Sequence, residues 1–451
     1  MGDDISRASS TATHLLLSLI MLTSLRLSAI MVTSSVYIHL PMTTRIDEWN
    51  YRFSRRATTA RRSMMRELMP LTTRHDIISF AGGLPAPDLF PVDDYRACLD
   101  HVLTTDGRRA LQYGPIYPPL KEALAGLMRL RGVEVKADDI FITNGAQQGL
   151  SVIGQLLLNP DSPVIVEQIA FTGIGQMIAE RGAMPLTVGT DLDCGIDVDN
   201  VEYLLKLTGQ VRAIIEVPDF HNPLGVSIIP AYRVRLAELS DRFRTPIIED
   251  DPYGLLRYEG ENIPPLKAHD VDGGIIYLGS FSKILAPGLR LGWVVASRPA
   301  LGKLTVIKES QDLETSQLTQ RAVAEFIQRG LLSAHLEKLK VAYAVRRTAM
   351  LAALDREFPR EAKWSKPKGG IFIWVTLPEP VDTWPLLPRA VKEAKVAFVP
   401  GAAFGINGGG QSSMRLNFSN ASPEMIDEGV KRLGQIVREA VAHQRTSESV
   451  R

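Results

Sequence analysis

Cysteine is nearly missing: the 451 residues hold two, Cys98 and Cys194. They stand far apart and match neither a CxxC pair nor a metal-ligand spacing, so no disulfide framework and no thiolate metal site is expected. Two isolated thiols of structural kind point to a reducing, cytoplasmic setting. An excess of charge is missing too. Fifty-one Lys and Arg face fifty Asp and Glu, a formal net charge of +1. No basic or acidic field marks a nucleic-acid partner or a membrane surface. There is no internal repeat, no long low-complexity tract and no GxxxxGK[ST] phosphate loop. What remains is an ordinary apolar content of 45% on a chain too long for one simple core, so two domains are expected.

The N-terminus holds one long apolar run, LLLSLIMLTSLRLSAIMVTSSVYIHL (15–40). Asp3 and Asp4 precede it where a signal peptide carries positive charge. Arg26 falls mid-span, at a cost of about 2.5–3.5 kcal/mol on insertion scales. At Met42 an ordinary soluble sequence begins, MTTRIDEWNYRFSRR. Residues 1–46 therefore read as an extension outside the fold. Residues 1–41 within it are a misplaced start or a targeting segment.

From about Thr73, short apolar runs alternate with helical patterns, the mark of an α/β sheet. PVIVE (163–167), VRAIIEVP (211–218), TPIIED (245–250), GIIYLGSF (274–281) and GWVVAS (292–297) read as strands covered on both faces. AYRVRLAELSDRF (231–243) reads as a helix between two of them. After about residue 300 the pattern changes to a charged helical region (314–357), three short strands (371–378, 396–401, 413–419) and a terminal helix (423–442). The expected architecture is a large three-layer α/β/α domain with a mostly parallel sheet, residues 91–313. A smaller α+β domain, 314–445, comes after it, and the segment 47–90 packs with that smaller domain. The basic stretch SRRATTARRS (54–63) reads as a solvated helix face, and GINGGG (405–410) as a flexible connection before a strand.

Ligands of such sheets bind beyond the carboxyl ends of the strands. There VRAIIEVP leads to Asn222, TPIIED to Asp250 and then Tyr253, and GIIYLGSF to Ser282 and Lys283. Lys283 stands in GSFSKILAPGLRLGW (279–293), seven residues before Arg290. A lysine at a strand end serves as a phosphate counter-charge or as an amine that forms a Schiff base. One that holds pyridoxal phosphate needs an acid on the pyridine nitrogen, donors on the ring hydroxyl and a phosphate cradle. Asp250, then Asn222 with Tyr253, then Ser280 with Arg290 meet those needs. In TNGAQQGLSVIGQLLL (143–158) a turn runs into a helix whose first amides, at Gly145, Ala146 and Gln147, are free for an anion.

Taken in order, ISFAGGLPAPDLFP (78–91), LQYGP (111–115), TNGAQQGL, PDFHNPLG (218–225), IIEDDPYG (247–254), GSFSKILAPGLRLGW, PKGGIFIWV (367–375) and MRLNFS (414–419) resemble the fold-type I, class I/II aminotransferases. The likeness runs from about residue 50 to 440 and is greatest to the 2-aminoadipate and kynurenine branch. It implies an aspartate-aminotransferase-like fold and pyridoxal 5′-phosphate as cofactor. It implies Lys283 as the Schiff-base lysine and proton shuttle, and Asp250 as the pyridine-nitrogen partner. Asn222 and Tyr253 match the ring-hydroxyl partners, and Gly145, Ala146, Gln147, Ser280, Ser282 and Arg290 the phosphate site. Arg415 matches the substrate-carboxylate arginine, and Gly82 and Gly83 the glycines beside the substrate. Tyr113 matches a tyrosine that reaches the neighbouring subunit's phosphate, which implies a homodimer.

The chain also departs from the pattern. Phe171 stands where a ring-stacking tyrosine is usual, IYPPL (116–120) replaces a longer loop, and His221 stands where glutamine is common. The implied reaction is transfer of an amino group from an L-amino acid to a 2-oxo acid, 2-oxoglutarate above all. β-Elimination, decarboxylation or racemisation would use the same cofactor site. A non-catalytic, cofactor-sensing module would need a DNA-binding segment, and the residues ahead of the fold lack a helix-turn-helix pattern. No metal is expected.

Overall fold

The computed structural model describes residues 51–54, 57–58 and 74–448. The extension at 1–46 and most of the basic stretch 54–63 lie outside these residues. The described residues from 74 onward belong to one compact unit.

Fifteen strands among the described residues fall in four sheets. In chain order they are β1 (Ile78–Ser79), β2 (Ile140–Thr143), β3 (Pro163–Glu167), β4 (Met184–Val188), β5 (Thr190–Asp191), β6 (Gly195–Ile196), β7 (Ala213–Glu216) and β8 (Ile247–Asp251). Then come β9 (Ile275–Ser280), β10 (Gly292–Val295), β11 (Lys363–Trp364), β12 (Phe372–Thr376), β13 (Val396–Ala397), β14 (Val399–Pro400) and β15 (Ser413–Asn417). The main sheet runs β2-β10-β9-β8-β7-β3-β4. β3, β4, β7, β8 and β9 pair in parallel, and β10 runs against both its neighbours.

Side chains alternate along each strand, and both faces are apolar. Val164, Val166, Ala213, Ile215 and Ile248 join one cluster with the helices Val92–Ala110, Pro118–Leu130, Ala146–Leu157 and Thr172–Arg181. Ile165, Ile214 and Ile247 join the other with the helices Val198–Thr208 and Pro230–Phe243. This is the expected three-layer α/β/α arrangement. At Gly279 the sheet needs a missing side chain, because a Cβ there would lie 2.2 Å from the Trp293 indole on β10.

β11, β12, β15 and β14 form a second, antiparallel sheet. The charged region splits into the helices Gln317–Gln328 and Leu331–Glu357, and the terminal helix is Pro423–Glu448. β1, near the start of the described chain, pairs in parallel with β13. β2 and β4 are not evident in the sequence. Each is only four or five residues long, and IFIT and MPLTV show no clear apolar–polar alternation.

Behind the strand ends lies a buried ion cluster that the sequence does not suggest. Asp219 accepts from Arg233 (2.8 Å), Arg131 (2.8 Å) and Arg257 (2.9 Å). Arg131 also reaches Asp251 at 3.1 Å, and Tyr277 donates to that same carboxylate at 3.1 Å. Burial pushes the Asp219 carboxyl up, but the charges of Arg233, Arg131 and Arg257 prevail and hold it well below the usual carboxylate range. One carboxylate thereby ties the helix Pro118–Leu130, the helix Pro230–Phe243 and the segment after β8 to the loop after β7. Asp219→Ala, which leaves guanidinium groups buried without their counter-charge, is expected to destabilise the fold by about 3–5 kcal/mol. Urea unfolding that moves the midpoint with an unchanged slope is the check.

Candidate active site

Parallel strands end at one edge of a sheet, so the segments after β2, β3, β7, β8 and β9 gather there. β10 runs the other way and contributes the residues before it. Together these segments and β12 and β15 of the second sheet enclose a cavity of about 330 Å³.

β9 supplies the lysine. Beyond Ser280, the side chains of Phe281, Ile284 and Leu285 are buried, which leaves Ser282 and Lys283 to face the cavity. Lys283 Nζ donates to the Gly83 carbonyl at 2.7 Å. Burial lowers its proton affinity, helped by the positive charges of Arg415 and Arg290, to a pKa of about 8.

Asp250, on β8, is buried and lines the cavity, and its Oδ1 has no hydrogen-bond partner among the described residues. Burial and the neighbouring Asp251 raise its carboxyl to about 7. Tyr253 comes three residues later on the same segment, its phenol pushed up by burial, with its ring edge-on to Phe372 at 5.9 Å. Arg415, on β15, donates to Asn222 Oδ1 at 2.7 Å and to the Ala81 carbonyl at 2.6 Å. Its guanidinium also lies over the rings of Phe372 (4.3 Å) and Phe404 (4.9 Å), a cation–π contact with each. Burial lowers its pKa to about 9.

A third corner is built for an anion. Gly145, at φ +85°, turns the chain from β2 into the helix Ala146–Leu157, whose first amides lack intrahelical partners. A Cβ on Gly145 would stand 2.8 Å from Arg290 Nη2, so glycine lets the guanidinium close over the turn. Arg290 itself adopts the left-handed conformation, φ +49°, and donates to the Asn144 carbonyl at 3.2 Å. Ser280, Ser282, Ala146 and Gln147 complete this wall. Phe171 precedes the helix Thr172–Arg181 and forms another.

Lys283, Ala146, Gln147, Phe171, Asn222, Asp250, Tyr253, Ser280, Ser282, Arg290, Gly83 and Arg415 thus meet around one cavity. Gly145 supports the wall from behind. Gly82 adjoins Gly83 without lining the cavity, and Tyr113 lies away from it, 74% exposed. Residues not foreseen are Thr172, Gly173, Gln176, Val217, Pro252 and Phe372. Most are chain neighbours of foreseen ones. Gln176 lies four residues beyond Thr172, the spacing that puts both on one helix face. Phe372 belongs to the PKGGIFIWV motif. Among the described residues no helix is long and apolar enough to cross a membrane.

Comparison with known proteins agrees with this geometry. The model of the family "Aminotransferase class I and II" matches residues 87–433. The aromatic-amino-acid aminotransferase 1 of Thermococcus litoralis is 42% identical over 86% of this chain and 94% of its own. The 2-aminoadipate transaminase of Thermus thermophilus is 38% identical over 87% of this chain and 98% of its own. The crystal structure of Pyrococcus horikoshii kynurenine aminotransferase, in complex with PMP, kynurenine and its product, superposes with a TM-score of 0.84. It is 39% identical and covers 88% of this chain and 99% of its own. A lysine, an aspartate and an arginine around one cavity, on this fold and in this company, mark the chain as a member of the class I and II aminotransferases, fold-type I enzymes that depend on pyridoxal 5′-phosphate.

Proposed function

We propose that the enzyme moves the amino group of an L-amino acid with an aromatic or long side chain to 2-oxoglutarate, with Lys283 as the amine that holds the cofactor. The names of the relatives support that donor class. The observation that carries the reading is the presence, in one cavity, of a buried lysine with lowered proton affinity and a buried carboxylate with one oxygen unpartnered among the described residues. The residues fit pyridoxal phosphate: the unmatched Asp250 oxygen suits a pyridinium N–H, and the glycine turn with Arg290 suits a phosphate.

When bound, that cofactor supplies a ring that draws electrons from the substrate's α-carbon. Asp250 would hold the proton on the ring nitrogen, where the positive charge would offset the burial that raises this carboxyl to about 7. Asn222 and Tyr253 would hydrogen-bond the ring hydroxyl, and Phe171 would face the ring without adding a hydroxyl. Ala146, Gln147, Ser280, Ser282 and Arg290 would hold the phosphate. Arg415 grips the substrate carboxylate, its planar fork fixed by two aromatic faces and matched to a bidentate partner. Lys283 Nζ would take up the proton lost from the substrate α-carbon and hold it for redelivery. Its pKa of about 8 keeps a useful neutral fraction near pH 7. Gly82 and Gly83 leave room for the substrate backbone atoms. Tyr113, exposed on a single chain, serves the phosphate of a neighbouring subunit in a homodimer. Residues 91–313 act as the cofactor-binding domain and 314–445 as the smaller domain that brings Arg415. The free thiols Cys98 and Cys194 suit the cytoplasm.

The decisive experiment is the absorbance spectrum of the purified holoenzyme before and after a panel of amino acids. A visible band that bleaches with aromatic or long-chain donors and returns with 2-oxoglutarate is expected. A band that persists while ammonia or carbon dioxide appears moves the enzyme to elimination or decarboxylation. Borohydride reduction with subsequent peptide mass analysis is expected to find the cofactor's mass on the peptide of Lys283.

Arg415→Lys is expected to raise KM for donor and acceptor on the order of 10- to 100-fold, since a charged hydrogen-bonded contact contributes about 1.5–3 kcal/mol. Steady-state kinetics in both directions measure it. The cofactor-free protein carries a pH signature as well. Lys283 has a lower pKa folded than unfolded, so its charge costs stability in full below about pH 8. That cost fades as pH rises toward the ordinary lysine value. Lys283→Met is therefore expected to stabilise the cofactor-free chain by about 1–2 kcal/mol at pH 7, after allowance for solvent at the half-buried amine. The gap should close above about pH 10.5, as read by urea unfolding across pH.

A further inference from the structure

Three glutamates stand in a row across the main sheet, one strand apart. Val166 on β3 pairs with Ile215 on β7, which brings Glu167 beside Glu216, and Glu216 pairs with Glu249 on β8. All three are at most 3% exposed. They lie on the face opposite Asp250, one residue along β8. Such a row is tolerable only if each carboxyl is neutralised separately. Glu249 accepts the backbone amides of Leu266 (2.6 Å) and Lys267 (2.8 Å). Glu216 has no partner among the described residues, and burial with the adjacent Glu167 charge pushes its carboxyl well up; burial raises Glu249 as well, to about 8.

Glu167 is treated differently. Thr190 donates to its Oε1 at 2.6 Å, and His221 Nε2 lies 2.7 Å from its Oε2. His221 is 1% exposed. This pair crosses between two peptides that each carry a cavity residue. Four residues beyond Glu167 comes Phe171. One residue beyond His221 comes Asn222, which holds Arg415. The backbone on each side is already pinned: Ala170 N donates to Phe404 O at 3.0 Å, and His221 N to Val226 O at 2.8 Å. The side-chain pair joins these two pinned segments to one another.

We propose that His221 is a positioning residue: through its buried pair with Glu167 it clasps the loop after β7 to the end of β3. The clasp fixes Asn222 against Arg415 and sets Phe171 at its distance from both. The inference rests on the roles given above to Asn222 and Arg415. A glutamine amide at this position carries a donor for Glu167, whereas an aliphatic side chain carries none.

The test uses the holoenzymes of His221→Leu, His221→Gln, the double variant H221L/E167L, and Asn222→Ala. KM, kcat and the absorbance maximum of the bound cofactor are read for each. His221→Leu is expected to raise donor KM on the order of 10- to 100-fold and to shift the band, as small misplacements of a binding group do. His221→Gln is expected to restore both. The double variant removes the stranded charge and so recovers thermal stability, but KM and the band are expected to stay altered. A folded His221→Leu with parental KM and band overturns the proposal. So does a double variant that recovers them, because charge balance alone would then be the pair's role. If His221→Leu does not fold, the double variant decides alone. Asn222→Ala with parental KM and band overturns the site assignment itself, and the clasp with it, so the two failures are told apart.

Discussion

Taking a charge out of water is costly, and this interior does it many times. Asp219 meets three guanidinium groups, Glu167 meets an imidazole, and Arg415 lies over two aromatic rings with two oxygens on its nitrogens. These matches let charged side chains of the loops after β7 and β8 lie buried in the protein. Against that background the Asp250 carboxyl and the Lys283 amine lie buried with no opposite charge beside them. Both face the same cavity. The scaffold balances its charges around the site and leaves two of them for a ligand to complete.

Much of this is legible in the sequence, for identifiable reasons. The central strands β3, β7, β8 and β9 are β-branched runs with clear ends, and each end carries a residue of unusual chemical type. Lys283, Asp250 and Asn222 can thus be read from type and place alone, and the family resemblance adds Arg415, Phe171 and Gly83. The site also needs contacts between distant segments, and these leave weaker traces. No pattern near Arg131, Arg233 or Arg257 says that all three converge on Asp219. In sequence each is one more arginine on a helix or in a loop. The glutamate row is hidden for a similar reason. Glu167, Glu216 and Glu249 each lie at or near the end of an apolar run, and only strand register shows that they are neighbours.

The pocket draws on two sheets. Lys283, Asp250 and the anion corner belong to the parallel sheet, whereas Arg415 and Phe372 belong to the antiparallel one. Arg415 pairs in register with Trp374 on one side and Val399 on the other, so its backbone is held as firmly as any core residue. In the proposed site, the residue for the substrate carboxylate and those for the cofactor thus come from different sheets.

The reversed strand β10 has a consequence of its own. Ser280 and Gly292 pair across the β9–β10 hairpin, and its loop carries both Lys283 and Arg290. The span between amine and guanidinium is therefore set by the contour of one short connection, which acts as a ruler. Surface loops commonly absorb added residues at little cost. Here the tip at Gly288 can accept new side chains, since open space surrounds it. A single inserted or deleted residue would instead change the span between Lys283 and Arg290, the two groups proposed to hold opposite ends of the cofactor. Length, rather than composition, is the quantity this loop must keep.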